Sequence, residues 1–222
     1  MARPGQKAQI PVTPENFILQ LRDDRTLAVV RTQALPDAEA LCQALAGGGI
    51  RTVELTFTIP DVLTHLRRAA DTAASHGAVV GIGTVLTADQ ARAAIDAGAQ
   101  FLVTPGLRPE VAAVATAAGI PFSLGAMTPT EVAQALDLGS AAVKIFPARQ
   151  FGPSYLSDLQ GPYPGIALLP SGGINDQNAG SYLSAGAAAV CCGTSVVPPA
   201  AVQAGDWADI TARAAGFIHA LG

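Results

Sequence analysis

Eight apolar runs of strand length, each followed by an Ala-rich, helix-compatible stretch, divide this chain from Leu27 to its end. They are LAVVRT from Leu27, TVELTFT from Thr52, AVVGIGT from Ala78, QFLVTPG from Gln100, IPFSLGA from Ile120, AAVKIFP from Ala141, IALLPSGG from Ile166 and AAAVCCGT from Ala187. Strands separated by helices cannot be joined as tight hairpins, so the rhythm argues for repeated βα units and parallel pairing. Eight such units in 222 residues fit a (β/α)8 TIM barrel better than an open doubly wound sheet.

The punctuation between runs supports that count. Gly49, Gly77, Gly98, Gly119, Gly139 and Gly186 each fall just after a helical stretch and just before a strand, where a chain leaves a helix in the left-handed region. At the opposite junctions, Pro36-Asp37, Thr87-Ala88-Asp89, Arg108-Pro109-Glu110 and Thr128-Pro129-Thr130-Glu131 combine capping residues, first-turn prolines and first-turn acids. PENFILQLRDDR predicts a short helix ahead of the first strand. No linker divides the sequence, so residues 1–222 read as a single barrel domain with an N-terminal tail over 1–14. The fragment GIGTVL at Gly81 follows the third strand and lacks a third glycine, which makes it a weak match to a dinucleotide-binding turn.

A formal charge of -4 gives the chain no general attraction to nucleic-acid or lipid phosphates, and a small-molecule partner is expected instead. No apolar run reaches the roughly 18 residues of a membrane span, and the N-terminal stretch is polar. The expected location is therefore the cytoplasm, with no membrane partner. Cys42, Cys191 and Cys192 form no CxxC pair and have no neighbouring histidine; they read as reduced core thiols, and no metal site is expected. His65, His76 and His219 lie in helical contexts away from any motif and read as surface residues.

Against this background the sixth run places Lys144 between Val143 and Ile145, in a chain with only one other lysine, Lys7. Side chains alternate between the barrel interior and the helix layer along each strand. If Val143 and Ile145 face the helices, Ala142, Lys144 and Phe146 face inward; if Val53, Leu55 and Phe57 face the helices, Glu54 and Thr56 do so too. One reading is a structural ion pair, because a buried ammonium must find a partner or lose its proton. The other is an imine-forming nucleophile, since an amine attacks carbonyls only when neutral and a desolvated site favours that form. Arginine could serve the first role and not the second, and this chain uses arginine almost everywhere else. Glu54 would then be the general acid and base.

The remaining strand ends carry polar and tight-turn residues. Ser171-Gly172-Gly173 and Gly193-Thr194-Ser195 follow the last two strands, where (β/α)8 barrels often bind phosphate on backbone N–H groups and hydroxyls. A phosphate-binding isomerase or synthase using Lys144 and Glu54 only as an acid/base pair, and a non-catalytic metabolite-binding barrel, fit the same pattern.

Taken together, GGGIRTVELTFT, VVGIGTVLTADQARAAIDAGAQFLVTPGL, VKIFPA and LPSGGIN resemble the 2-keto-3-deoxy-6-phosphogluconate (KDPG) and 4-hydroxy-2-oxoglutarate (KHG) aldolases, over about Leu27 to Pro198. The resemblance implies a class I aldolase of (β/α)8 fold, a homotrimer that needs no metal or free cofactor and forms a covalent imine. It makes Lys144 the imine lysine and Glu54 the acid/base. Thr84, Pro105 and Phe146 match positions that shape a pyruvate pocket, and Ser171, Gly172, Gly173, Thr194 and Ser195 match the phosphate loops. Two departures bear on substrate rather than reaction. Thr58 stands where the family's better-known members have an arginine, and LGAMT replaces a PGIST-like stretch. Arg31, at the end of the first strand, is the expected source of the missing positive charge.

Overall fold

A computed structural model describes residues 12–222, so Lys7 and most of the tail over 1–14 lie outside the described residues. Each of the eight apolar runs forms a strand: β1 (Thr26–Val30), β2 (Thr52–Thr56), β3 (Val79–Gly83), β4 (Leu102–Val103), β5 (Phe122–Ala126), β6 (Ala142–Ile145), β7 (Leu168–Pro170) and β8 (Val190–Cys192). All pair in parallel in the order β7-β6-β5-β4-β3-β2-β1-β8. A bridge from Leu168 to Ala187, just ahead of β8, nearly closes the barrel.

The connecting helices start at the residues that cap them. Asp37 accepts from the N–H groups of Glu39 and Ala40 ahead of α2 (Ala38–Gly47), Thr87 from Gln90 ahead of α4 (Ala88–Asp96), and Thr128 and Glu131 form a reciprocal capping box ahead of α6 (Pro129–Asp137). The six glycines expected past helix ends all have positive φ. Between these lie α1 (Pro14–Asp24), α3 (Val62–Ala73) and α5 (Pro109–Ala118). The later units are more compact, with α7 (Ser154–Gln160) and α8 (Ala179–Ser184), and two helices, α9 (Pro199–Ala204) and α10 (Trp207–Ala220), follow β8.

Alternation along the strands creates two apolar regions. Val53, Leu55, Val143 and Ile145 pack outward beneath the helices, while Leu27, Phe101, Val103, Ala142, Leu169 and Cys191 fill the barrel interior. Helix α1 closes the N-terminal mouth. Its Phe17 and Leu21 are fully buried among the interior residues, and the Phe17 ring stacks on Phe101 with centroids 4.9 Å apart. Buried Asp24, at the end of α1, pairs with Arg51 at 2.5 Å and accepts from the Thr52 hydroxyl at 2.8 Å, tying the plug to the start of β2. Apolar side chains of α1 thus fill the bottom of the barrel interior.

Two histidines depart from the expected surface position: His65, on α3, and His76, just after it, are half-buried, and His65 Nδ1 is buried and finds no partner among the described residues. Phe17→Ala opens the plug and should lower the unfolding free energy by about 3–5 kcal/mol, measurable by urea titration against the parent chain.

Candidate active site

At the C-terminal ends of the strands lies a cavity of about 750 Å³ lined by residues from six strand ends. Arg31, Thr84, Pro105, Lys144, Phe146, Ser171, Gly172, Gly173, Thr194 and Ser195 all border it, so every expected substrate-binding residue meets in one place. Glu54 lies just beneath, fully buried, with Oε2 3.4 Å from Lys144 Nζ. The parity of β2 and β6 thus brings together two groups 90 positions apart.

The pair is deeply placed, with Lys144 only 6% exposed. A glycine makes this arrangement possible. Gly83 pairs beside Thr56, and a Cβ there would fall 1.8 Å from Glu54 Oε1. The GIGTVL glycine thus gives the carboxylate its space rather than cradling a nucleotide. Glu54 Oε1 and the Ser123 hydroxyl are buried without hydrogen-bond partners among the described residues. They leave hydrogen-bonding capacity inside the barrel for a substrate atom or an ordered water.

Around the pair, the wall is mixed. The Phe146 ring, 39% exposed at the rim, lies 5.9 Å from Lys144 Nζ and puts an apolar face over the amine. Thr84 has a φ of 58°, a left-handed conformation uncommon for a β-branched residue, at the turn where β3 ends beside the cavity. Cys191 also borders the cavity, although composition marked it only as a core thiol. Burial pushes its thiol up to about 12, against the opposing influence of Lys144, so the amine has no competing thiolate at neutral pH.

The far side is formed by the loops after β7 and β8. The carbonyls of Ser171, Gly172 and Gly173 are all engaged, accepting from Ala148 N–H at 2.8 Å, Arg149 N–H at 3.2 Å and the Asn178 amide at 2.8 Å. The next N–H groups, of Gly172, Gly173 and Ile174, find no acceptor among the described residues, nor do those of Thr194 and Ser195. Gly172 and Gly173 both have positive φ, a conformation that turns successive amides to one side. The Ser195 hydroxyl donates to Ile174 O at 3.5 Å and links the two loops.

Thr58 is not part of the cavity wall. It is exposed and turned to Thr56, with hydroxyl oxygens 2.7 Å apart, while Thr56 donates to Val30 O at 2.9 Å. Among the described residues the cations on the wall are Arg31, Lys144 and Arg149, and no carboxylate lines it. Arg149 and Asn175 are the polar wall residues that strand-by-strand reading passed over. The signal for Arg149 was the one that singled out Arg31: a basic residue in the first turn beyond a strand end.

The fold is a (β/α)8 barrel whose one mouth carries a cavity over a buried lysine–carboxylate pair. The chain belongs to the KDPG and KHG aldolase family, whose model matches residues 18–213, and it is a carbon–carbon lyase. The KDPG aldolase of Treponema pallidum is 36% identical over 89% of this chain and 94% of its own length. The structure of KDPG aldolase from Legionella pneumophila with pyruvate captured as a covalent carbinolamine superimposes with a TM-score of 0.83 at 29% identity, covering 96% of this chain and 99% of its own. That of the Zymomonas mobilis KDPG aldolase with 3-phosphoglycerate gives 0.79 at 30% identity, covering 90% and 94%.

Gly83→Ala should displace the Glu54 carboxyl. We expect a loss of about 1–3 kcal/mol in denaturant unfolding, together with a fall in cleavage activity larger than the lost folded fraction explains.

Proposed function

We propose that this chain is a class I pyruvate aldolase that cleaves KDPG to pyruvate and glyceraldehyde 3-phosphate, with KHG cleavage to pyruvate and glyoxylate open to the same site. The observation that carries this reading is the buried Lys144–Glu54 pair, 3.4 Å apart, at the base of a cavity without lining carboxylates. The covalent pyruvate in the Legionella neighbour and the 3-phosphoglycerate with the Zymomonas neighbour support it.

Neutral Lys144 attacks the C2 carbonyl of the 2-oxo acid, and the tetrahedral carbinolamine loses water to give an iminium ion. Glu54, directly or through a water at its unpartnered Oε1, supplies and removes the protons of these steps. The iminium accepts the electron pair of the C3–C4 bond as that bond breaks. Glu54 takes the C4 hydroxyl proton, and the aldehyde departs. The enamine left on Lys144 is protonated at C3, and hydrolysis of the resulting imine releases pyruvate and restores the amine. Thr84, Pro105 and Phe146 shape the space for the three-carbon acid. Arg31 faces its carboxylate side with the charge that Thr58 lacks, and the Ser171–Gly173 and Thr194–Ser195 loops receive the phosphate.

The reading requires no metal and no free cofactor. It takes the whole chain as one barrel domain, assembled as a homotrimer and working in the cytoplasm. Among the described residues no helix is long and apolar enough to cross a membrane. Light scattering tests the trimer.

Incubation with pyruvate followed by borohydride should leave a stable adduct that peptide mass analysis locates at Lys144. Absence of an adduct under conditions that trap a control class I aldolase would overturn the imine mechanism. Lys144→Arg should abolish both adduct and cleavage, while Glu54→Gln should lower kcat by about 10²–10⁴-fold.

A further inference from the structure

We propose that Arg149 is a specificity-determining residue that closes the far end of the site over a dianion, so that this enzyme selects phosphorylated substrates. The inference rests on the aldolase reading above and extends it to substrate class.

Arg149 sits in the short 3-10 turn Ala148–Gln150 that follows β6, five positions beyond Lys144. Its place is held from several sides. Ala148 N–H donates to Ser171 O at 2.8 Å, Arg149 N–H donates to Gly172 O at 3.2 Å, and the Tyr182 hydroxyl donates to Ala148 O at 3.2 Å. The arginine stem lies directly along Gly173: a Cβ at that glycine would come within 2.7 Å of Arg149 Cβ and 3.1 Å of its Cδ. The stem thus borders the loop whose Gly172, Gly173 and Ile174 N–H groups find no acceptor among the described residues, and Arg149 lines the same cavity.

Among the described residues nothing competes for that guanidinium. Arg149 forms no ion pair and no side-chain hydrogen bond among the described residues, in contrast to Arg51, Arg92 and Arg213, which all pair with aspartates. The cavity wall that it joins carries three cations and no carboxylate, although the chain as a whole is acidic. A planar fork next to a row of free amides fits the oxygens of a phosphate ester, whose second negative charge near neutral pH a carboxylate substrate lacks. The packing of the Arg149 stem on Gly173 puts it on the side of the cavity formed by the loop after β7. Arg149 therefore addresses the distal group of the substrate rather than its 2-oxo acid end.

The test compares the parent chain with Arg149→Gln and Arg149→Lys, using KDPG and KHG as substrates and inorganic phosphate as a competitive inhibitor. Arg149→Gln should lower the ratio of kcat/KM for KDPG to that for KHG by about 10- to 100-fold, chiefly through KM for KDPG. The inhibition constant for inorganic phosphate should rise at least about tenfold. Arg149→Lys, which keeps the charge without the fork, should recover part of both effects. An unchanged ratio and an unchanged phosphate constant in Arg149→Gln would overturn the proposal and leave Arg149 a solvated rim residue. Equal losses on the two substrates would overturn it as well, since they would mark a general structural role. Borohydride trapping of pyruvate on each variant separates this failure from that of the aldolase reading: adducts that form normally while the ratio stays fixed refute the Arg149 assignment alone.

Discussion

The buried contact between Lys144 and Glu54 is the constraint around which the rest of the barrel is arranged. A charged group taken from water into a protein interior carries a heavy desolvation cost, and removing one partner from such a pair typically destabilises a fold by about 3–5 kcal/mol. The two residues are therefore held by opposite strands of a closed structure, with the Phe17–Phe101 stack sealing the interior below and Gly83 leaving room for the carboxylate. The pair meets at 3.4 Å, and the second carboxylate oxygen stays unpartnered among the described residues.

The loops after β7 and β8 use a different economy of means. Neighbouring segments take up the carbonyls of Ser171, Gly172 and Gly173, while the N–H groups of Gly172, Gly173 and Ile174 find no acceptor among the described residues. Loop geometry alone thus makes a positive rim, and Arg31 and Arg149 add full charges to it. A chain of net charge -4 thus gathers three cations on the wall of one cavity without making its whole surface basic. Thr58, hydrogen-bonded to Thr56, lies outside the wall and adds no charge to it.

Much of this was legible before any coordinates. Period-two alternation along β2 and β6 is a local property of a strand, so it correctly turned Lys144 and Glu54 inward. Capping residues and helix-end glycines are local too, and Asp37, Thr87 and Thr128 cap as their chemistry predicts. Arg149 escaped notice because its position depends on a turn folding back against the loop of the next strand. The partial burial of His65 and the left-handed backbone of Thr84 likewise follow from what packs around them.

By itself, then, the sequence determined the number of βα units, the direction of the strands and which residues could face one another across the barrel, because these depend on periodicity and on short-range capping. Only the tertiary structure decided that Glu54 Oε2 meets Lys144 Nζ, that the carbonyls of Ser171–Gly173 are occupied while the amides beyond them are not, and that Arg149 lies along Gly173. These are contacts between segments distant in sequence, and barrel closure is what brings them within bonding distance.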